Sequence, residues 1–367
     1  TWFFETFILR PHAANYRQFD KDYAYLFNSY YVQLGERYAR PQRGLVTRPT
    51  LDTVLAYRAH VDAALERFLA GNDRTQALDA LLELGCHHEM QHQELLMTDL
   101  LHALSFNPLR PAYRPTAPLP VRDSVGEADW HGFDGGIFAV GHDGGGFAFD
   151  CEGPRHDVLL RPFKLASRPV TNGEWAAFIE DGGYRTATLW LSDGWSTCQT
   201  EQWQTPLYWW NEDGVWWSFG MRGAQPVNLD APVSHISFYE ADAYARWAGK
   251  RLPLETEWEV AATDLPMIGN FMDSDHFRPR PADTEGPLTQ MMGDIWEWTA
   301  SPFTPYPGYQ PPAGAVGEYN GKFMCNQFVL RGGSCVTAKN QMRTSYRNFF
   351  YPHQRWQFSG LRLAEDS

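Results

Sequence analysis

The stretch Leu84-Gly-Cys-His-His-Glu-Met-Gln-His-Gln-Glu-Leu-Leu-Met97 holds the densest group of metal-capable side chains in the chain. It lies in an apolar-periodic run from about Gln76 to Leu104 that contains no Pro and a single Gly, which predicts one long helix. At about 100° per residue, His88 and His92 share one face, a turn apart. Two imidazoles so spaced can hold one metal ion. Glu94 falls away from their common direction and suits a supporting hydrogen bond better than a ligand position. Gln91 flanks the pair, and His87 points elsewhere. The plainer alternative is a buried helix with satisfied polar groups. The spaced pair, with Gln and Glu beside it, favours a metal.

The same residues spell His88-Glu89-x-x-His92, a zinc-peptidase pattern in which Glu89 acts as general base. The extended form of that motif wants Gly at 95 and His at 98, where this chain has Leu95 and Thr98. Residues 105–122 offer no His, Asp or Glu as a third ligand. A zinc metallopeptidase therefore stands only as an alternative.

A chain of 367 residues can build two domains with real cores. Its 15 Trp, 17 Tyr and 23 Phe, beside 31 Gly and 25 Pro, suggest a loop-rich part packed by rings. A net charge of −13 argues against nucleic acid, whose binding rests on Lys and Arg neutralising phosphates. No apolar run approaches the ~20 residues of a membrane span. Five cysteines (86, 151, 198, 325 and 335) without CxxC spacing, and no signal peptide, suggest reduced thiols in a cytoplasmic protein. The chain opens Thr1-Trp2-Phe3 in mid-pattern and without Met, so further residues are expected before it.

Taken in order, residues 1–10 read as the tail of an amphipathic helix closed by Pro11. Asp20 to about Arg40 is a second helical candidate carrying Asn28-Ser-Tyr-Tyr31. The loop from Gly35 to Gly44 holds Arg37, Arg40 and Arg43, read either as solvated charges or as a clamp for a substrate carboxylate. Thr50 is a candidate N-cap for a third helix to about Ala70, and Gly71-Asn72-Asp73 breaks it. Three or four such helices with short joins describe an up-and-down bundle over residues 1–106. Residues 107–122 are Pro-rich and read as a linker. Beyond them, short β-type runs (136–140, 158–165, 328–330) alternate with helices at 171–181, 237–248 and 256–262. The chain as a whole is α+β, with an irregular mixed domain over 123–367.

Four segments of that second part, Arg168-Pro-Val-Thr-Asn-Gly-Glu-Trp175, Ala245-Arg-Trp-Ala-Gly-Lys-Arg-Leu-Pro-Leu-Glu-Thr-Glu-Trp-Glu259, Gly293-Asp-Ile-Trp-Glu-Trp-Thr-Ala-Ser-Pro302 and Leu330-Arg-Gly-Gly-Ser334, resemble the formylglycine-generating-enzyme (sulfatase-modifying factor, C-type-lectin-like) fold. Read with the N-terminal TWFFETF, NSYY, RPxRG and HxxxHxE pieces, the whole chain resembles the iron-dependent sulfoxide synthases of ergothioneine biosynthesis, the hercynine oxygenases. Those proteins join a DinB-like four-helix bundle to a formylglycine-generating-enzyme-like domain.

The resemblance implies a non-haem Fe(II) site of three histidines, two of them matching His88 and His92. The third is expected upstream of Thr1, and His12 and His60 rank below it as substitutes. The implied reaction attaches the sulfur of a cysteine-type thiol to the imidazole carbon of hercynine as a sulfoxide, consuming O2. Oxidation of the thiol to a sulfinate is the competing outcome, which the family averts with an active-site Tyr. Tyr30 and Tyr31 are the candidates here, each also readable as a packing ring. Gln91, Asn348 and Phe349 match positions around the trimethylammonium group of hercynine, which ring faces and amide oxygens suit. Arg40 or Arg43 would take the thiol's carboxylate. Members using γ-glutamylcysteine carry Asn-Trp-Asp where this chain has Asn348-Phe349-Phe350, which tilts the donor towards free cysteine. The copper-binding cysteine pair of formylglycine-generating enzymes is not matched by Cys325 and Cys335, which read instead as core thiols. An ovothiol-type histidine sulfoxide synthase and a non-catalytic binding module remain alternatives.

Overall fold

Glu5 lies in the first helix and is buried, with both oxygens in use: the phenols of Tyr16 (2.5 Å) and Tyr57 (2.6 Å) donate to it. That satisfies a carboxylate that burial would otherwise penalise. The helix is α1 (residues 2–12), widened to π geometry over Glu5–Leu9. Pro11, expected to close it, sits inside its last turn, and the chain becomes extended at Ala13. The missing N–H of proline matters little in a turn that is ending. This computed structural model describes residues 1–71, 75–116, 126–282 and 286–367.

The helix expected over 20–40 does not form beyond α2 (Tyr23–Leu26). The amide of Asn28 captures the backbone of Tyr31 on both sides, with Nδ2 donating to its carbonyl (2.8 Å) and Oδ1 accepting from its N–H (3.0 Å). Such side-chain capture competes directly with helical hydrogen bonding. Gly35 then takes φ +131°, and Arg40–Thr47 is a 3-10 stretch. Thr50 caps α3 (Leu51–Leu69) as expected, its hydroxyl accepting from the Thr53 N–H. α4 (Gln76–Ser105) runs unbroken through the histidine stretch. Gly85 within it admits Phe3 and Phe4, since a Cβ there would come within 2.8 Å of the Phe4 ring. Leu9, Tyr23, Tyr57, Val61 and Ala64 form the core of these elements. Thus α1, α3 and α4 form over the expected stretches, whereas α2 falls far short of its expected length. Of the expected linker, residues 117–122 lie outside the described residues.

Four small sheets follow among the described residues. β1 (Trp130–Phe133), β4 (Phe163–Ala166) and β12 (Ala364–Asp366) are antiparallel in the order β1-β4-β12. β2 (Gly136–Val140) pairs with β3 (His156–Leu160). β5 (Trp209–Glu212), β6 (Val215–Gly220) and β7 (Gly223–Pro226) form a meander. β8 (Trp296–Pro302), β9 (Phe328–Arg331), β10 (Asn348–Phe350) and β11 (Ser359–Gly360) form a sheet ordered β10-β9-β8-β11, with β11 parallel to β8. The single strand expected over 158–165 is therefore two, because Pro162 cannot donate to a ladder. Helices α5 (Asn172–Glu180) and α7 (Phe238–Trp247) each start on a reciprocal cap, Thr171 with Glu174 and Ser237 with Glu240. α6 (Ser192–Thr200), α8 (Glu255–Ala262) and α9 (Glu318–Gly321) complete the set used below. Trp175, Trp258, Trp296 and Trp298 are fully buried, so rings fill the space between short elements.

Packing groups the chain into two units. One is Thr1–Glu89 with Gly144–Cys151 and Tyr309–Phe323; the other is Met90–Asp143, Glu152–Gly308 and Met324–Ser367. The cut falls within α4 rather than in the Pro-rich stretch, and two later segments, Gly144–Cys151 and Tyr309–Phe323, belong with the N-terminal helices. No helix among the described residues is long and apolar enough to cross a membrane.

Asp294, 4 % exposed and at φ +58°, accepts from Asn270 (2.6 Å), the Arg280 N–H (2.9 Å) and Gln290 (3.0 Å). Burial outweighs these bonds and pushes its carboxyl from 3.8 to about 6. A group that binds its proton more tightly when folded stabilises fully below its unfolded value, and loses that contribution as pH rises through about 6. Urea unfolding should show the wild type losing about 2 kcal/mol relative to D294N between pH 4 and pH 7. A difference that stays constant with pH would refute this.

Candidate active site on helix α4

His88 and His92 lie one turn apart on an unbroken helix. His88 is half-buried, its ring stacked on Phe3 at 5.0 Å, and His92 is exposed. His87 is buried and stacks on Phe147 at 3.8 Å. Glu94 serves as a core acceptor, receiving the indole N–H of Trp296 (2.7 Å) and the Ser334 hydroxyl (3.2 Å). Burial holds its carboxyl above the ordinary range despite those bonds.

Gln91 Nε2 donates to the Tyr346 hydroxyl at 3.1 Å, and Gln341 Nε2 reaches the same oxygen at 3.3 Å. Tyr346 is buried, and burial pushes its phenol well above the usual value. It stands two residues before β10, so the bond ties Gln91 to the segment holding Asn348, Phe349 and Phe350. All three are half-buried and pair with β9, Asn348 opposite Leu330. Asn348 Oδ1 accepts from the Phe349 N–H (2.9 Å). The Phe349 ring stacks on Phe303 at 4.1 Å, and Phe350 meets Trp356 edge-on at 6.2 Å.

Tyr31 is buried, its ring stacked on Trp2 at 5.7 Å with Phe7 edge-on at 5.2 Å. Burial, with the charge of Glu318 added, pushes its phenol up to about 12. Tyr30 is half-buried against Tyr319 and Phe323. Arg43 is exposed on the 3-10 stretch, and the side chain of Arg40 lies outside the described residues. Of the substitute ligands, His12 is exposed and His60 Nε2 is engaged by the Arg17 carbonyl at 2.8 Å. Cys335 is buried, but Cys325 is exposed, so only the first is a core thiol; none of the five cysteines is in a disulfide.

Among the described residues no three His, Cys, Asp or Glu side chains gather for a metal ion. The pair fits part of a site for a nitrogen-preferring divalent metal such as Fe(II): two imidazoles on one helix, leaving positions for other donors. The sequence reading passed over Tyr346, which stands two residues before Asn348. It also missed the α9 residues discussed below, whose partners lie far away in sequence.

Residues 128–284 and 269–367 match the family of sulfatase-modifying factor enzyme 1-like domains. Behind the N-terminal helices, such a domain defines the class of the molecule. The chain is 36% identical to a hercynine oxygenase of Mycolicibacterium smegmatis, over 80% of this chain and 76% of that protein. It is 34% identical to one of Mycolicibacterium thermoresistibile, over 91% and 80%. A formylglycine-generating enzyme of Streptomyces coelicolor is 30% identical over 64% of this chain and 88% of its own. The chain belongs to the hercynine oxygenase family, the sulfoxide synthases of ergothioneine biosynthesis.

Proposed function

We propose that this protein is a cytoplasmic, Fe(II)- and O2-dependent sulfoxide synthase that joins a cysteine-type thiol to the imidazole of hercynine. The observation that carries the reading is the bond between Gln91, beside His92, and Tyr346, which leads into Asn348, Phe349 and Phe350. The reaction balances as thiol S–H plus imidazole C–H plus O2 giving the C–S(=O) sulfoxide and water. The four electrons come from the C–H and S–H bonds and the sulfur. The iron, when bound by His88 and His92 together with a third donor, would activate O2 and bring the two substrates together.

The chain's own residues do the rest. The N-terminal helices are read as a DinB-like four-helix bundle that presents the two histidines. Gln91 has its Nε2 committed to Tyr346, so Oε1 is the atom to meet the methyl groups of the trimethylammonium. Asn348 and the Phe349 ring complete that subsite without a buried anion. Arg40 or Arg43 takes the thiol's carboxylate. Phe350 offers no anion to a γ-glutamyl ammonium group, which favours free cysteine. The Tyr31 phenol, still protonated at neutral pH, or Tyr30 beside it, supplies hydrogen to steer the thiol away from sulfinate.

The test is anaerobic Fe(II) reconstitution followed by O2 uptake with hercynine and either cysteine or γ-glutamylcysteine, the product being read by mass and its regiochemistry by NMR. A hercynine–cysteine sulfoxide is expected. Histidine as preferred acceptor, with sulfur on the other imidazole carbon, would mark an ovothiol-type synthase. Zinc-dependent peptide cleavage without O2 uptake would overturn the proposal.

A further inference from the structure

We propose that Glu318 and Lys322 are positioning residues that hold the Tyr30–Tyr31 loop, through its backbone, in the geometry the reaction needs. The inference rests on the reading of those tyrosines given above. The loop has little regular structure of its own. It follows the four-residue helix α2 and precedes a single 3-10 turn, Val32–Leu34. A phenol that must deliver hydrogen to one reactant has to be placed within a fraction of an ångström. Local sequence here does not provide that stiffness.

The stiffness comes from α9, 286 residues further along the chain. Glu318 spans two successive peptide groups, Oε1 accepting from the Val32 N–H (3.1 Å) and Oε2 from the Gln33 N–H (3.2 Å). It thereby caps the turn that begins directly after Tyr31. One turn on, Lys322 Nζ donates to the Tyr30 carbonyl (2.8 Å) and to Glu318 Oε1 (3.2 Å). Asn28 holds the N–H and carbonyl of Tyr31 from the other side. Five of the six backbone polar groups from the Tyr30 carbonyl to the Gln33 N–H are thus fixed by three side chains, and the sixth, the Val32 carbonyl, accepts from the Gly35 N–H. The ring of Tyr30 is bracketed by Tyr319 and Phe323, each the immediate neighbour of a clamp residue.

α9 is itself anchored. The carboxylate of Asp150 accepts from Asn320 Nδ2 (2.5 Å) and from the Tyr309 hydroxyl (2.8 Å). The clamp residues are only partly screened, with side-chain exposures of 15 % for Glu318 and 31 % for Lys322. A salt bridge so placed contributes little to global stability. Its two charges are instead spent on backbone groups next to the candidate tyrosines. The negative charge of Glu318 has a second consequence, since it opposes ionisation of Tyr31 and so keeps the phenol's hydrogen in place.

The experiment compares E318Q, E318D, K322M, Y30F and Y31F with the wild type in the iron-loaded protein. It reads the ratio of cysteine sulfinate to sulfoxide by mass, together with KM for both substrates and the thermal midpoint. In E318Q and K322M the sulfinate share should rise about tenfold, as it should in whichever tyrosine variant removes the acting phenol. KM values should stay within about twofold and the fold should remain intact. E318Q combined with the active tyrosine's Phe variant should be no worse than that Phe variant alone. If a tyrosine variant shifts the ratio but E318Q, E318D and K322M leave it unchanged, the clamp is merely structural and the inference fails. If neither Y30F nor Y31F shifts it, the tyrosine reading itself fails and takes this inference with it. Should E318Q not fold, K322M decides alone, because it removes contacts made by an exposed side chain.

Discussion

Replacing His92 with Ala is expected to strip iron from the protein and to lower sulfoxide formation by at least about a thousandfold, while leaving the fold intact. The size follows from the donor count. In the proposed site His88 and His92 are two of the donors, and one imidazole on a helix does not hold a divalent metal against water. The small folding cost follows from exposure: His92 faces solvent, and substitutions at such positions usually change stability by about 0.5 kcal/mol or less. H88A should match it in activity but cost more stability, because His88 is half-buried against Phe3. The double variant should be no worse than either single one, since both remove the same unit. E89Q is the control that separates the chemistries. In a zinc peptidase Glu89 would be the general base and its loss would abolish activity; in the sulfoxide synthase turnover should survive. Elemental analysis of iron and mass analysis of product read both arms. An H92A protein that retains iron and turns over would sink the assignment.

The parts of this molecule legible in sequence are those whose signal is local. α4 is announced by 30 residues with no Pro and a single Gly, and the cap at Thr50 by its hydroxyl at the right offset. Where the sequence misleads, a side chain or an imino acid redirects the backbone. Asn28 converts a helical-looking stretch into a pinned loop, and Pro162 splits one apolar run into β3 and β4. The histidine pair was visible because four residues make one turn, but the partner of Gln91 was not. Tyr346 lies 255 residues away, and nothing near either residue points to the other. Glu318 and Lys322 are the extreme case, an ordinary i, i+4 pair whose acceptors and donors are backbone atoms of a distant loop. Counting tryptophans correctly foretold packing by rings, yet not which rings would be sealed or that three arginines, Arg331, Arg347 and Arg362, would be fully buried among them.

Those arginines give the largest stability effect. R331M is expected to destabilise the fold by about 3–5 kcal/mol, a large fraction of what a typical domain has. Arg331 is fully buried, and its Nη2 donates to Glu259 (2.8 Å), Glu255 (3.1 Å) and the Tyr306 hydroxyl (3.1 Å), while Nη1 reaches the Thr344 carbonyl (2.9 Å). Arg347, also buried, holds Glu255 through Nε (2.8 Å) and Nη2 (2.9 Å). Two guanidinium groups thus face two carboxylates, and the buried cluster carries no net charge. Burial alone would raise the carboxyl of Glu255, but Arg347 and Arg331 overcome it and hold it below the ordinary range. That sign means stabilisation is present above the unfolded value of 4.5 and is lost as pH falls through the lower folded one. Removing Arg331 leaves Glu259 with only the Gly141 N–H (2.5 Å) among the described residues, and leaves a negative charge sealed in the core. The penalty is that uncompensated charge rather than the worth of the bonds themselves, which fixes what a second substitution should do. E259Q on its own should cost less than R331M, and the double variant R331M/E259Q should recover part of the loss because the charges cancel again. Urea unfolding of the three variants at neutral pH measures the coupling. An R331M protein within about 1 kcal/mol of wild type, or a double variant whose loss equals the sum of the singles, would mean the cluster is not held together by charge balance.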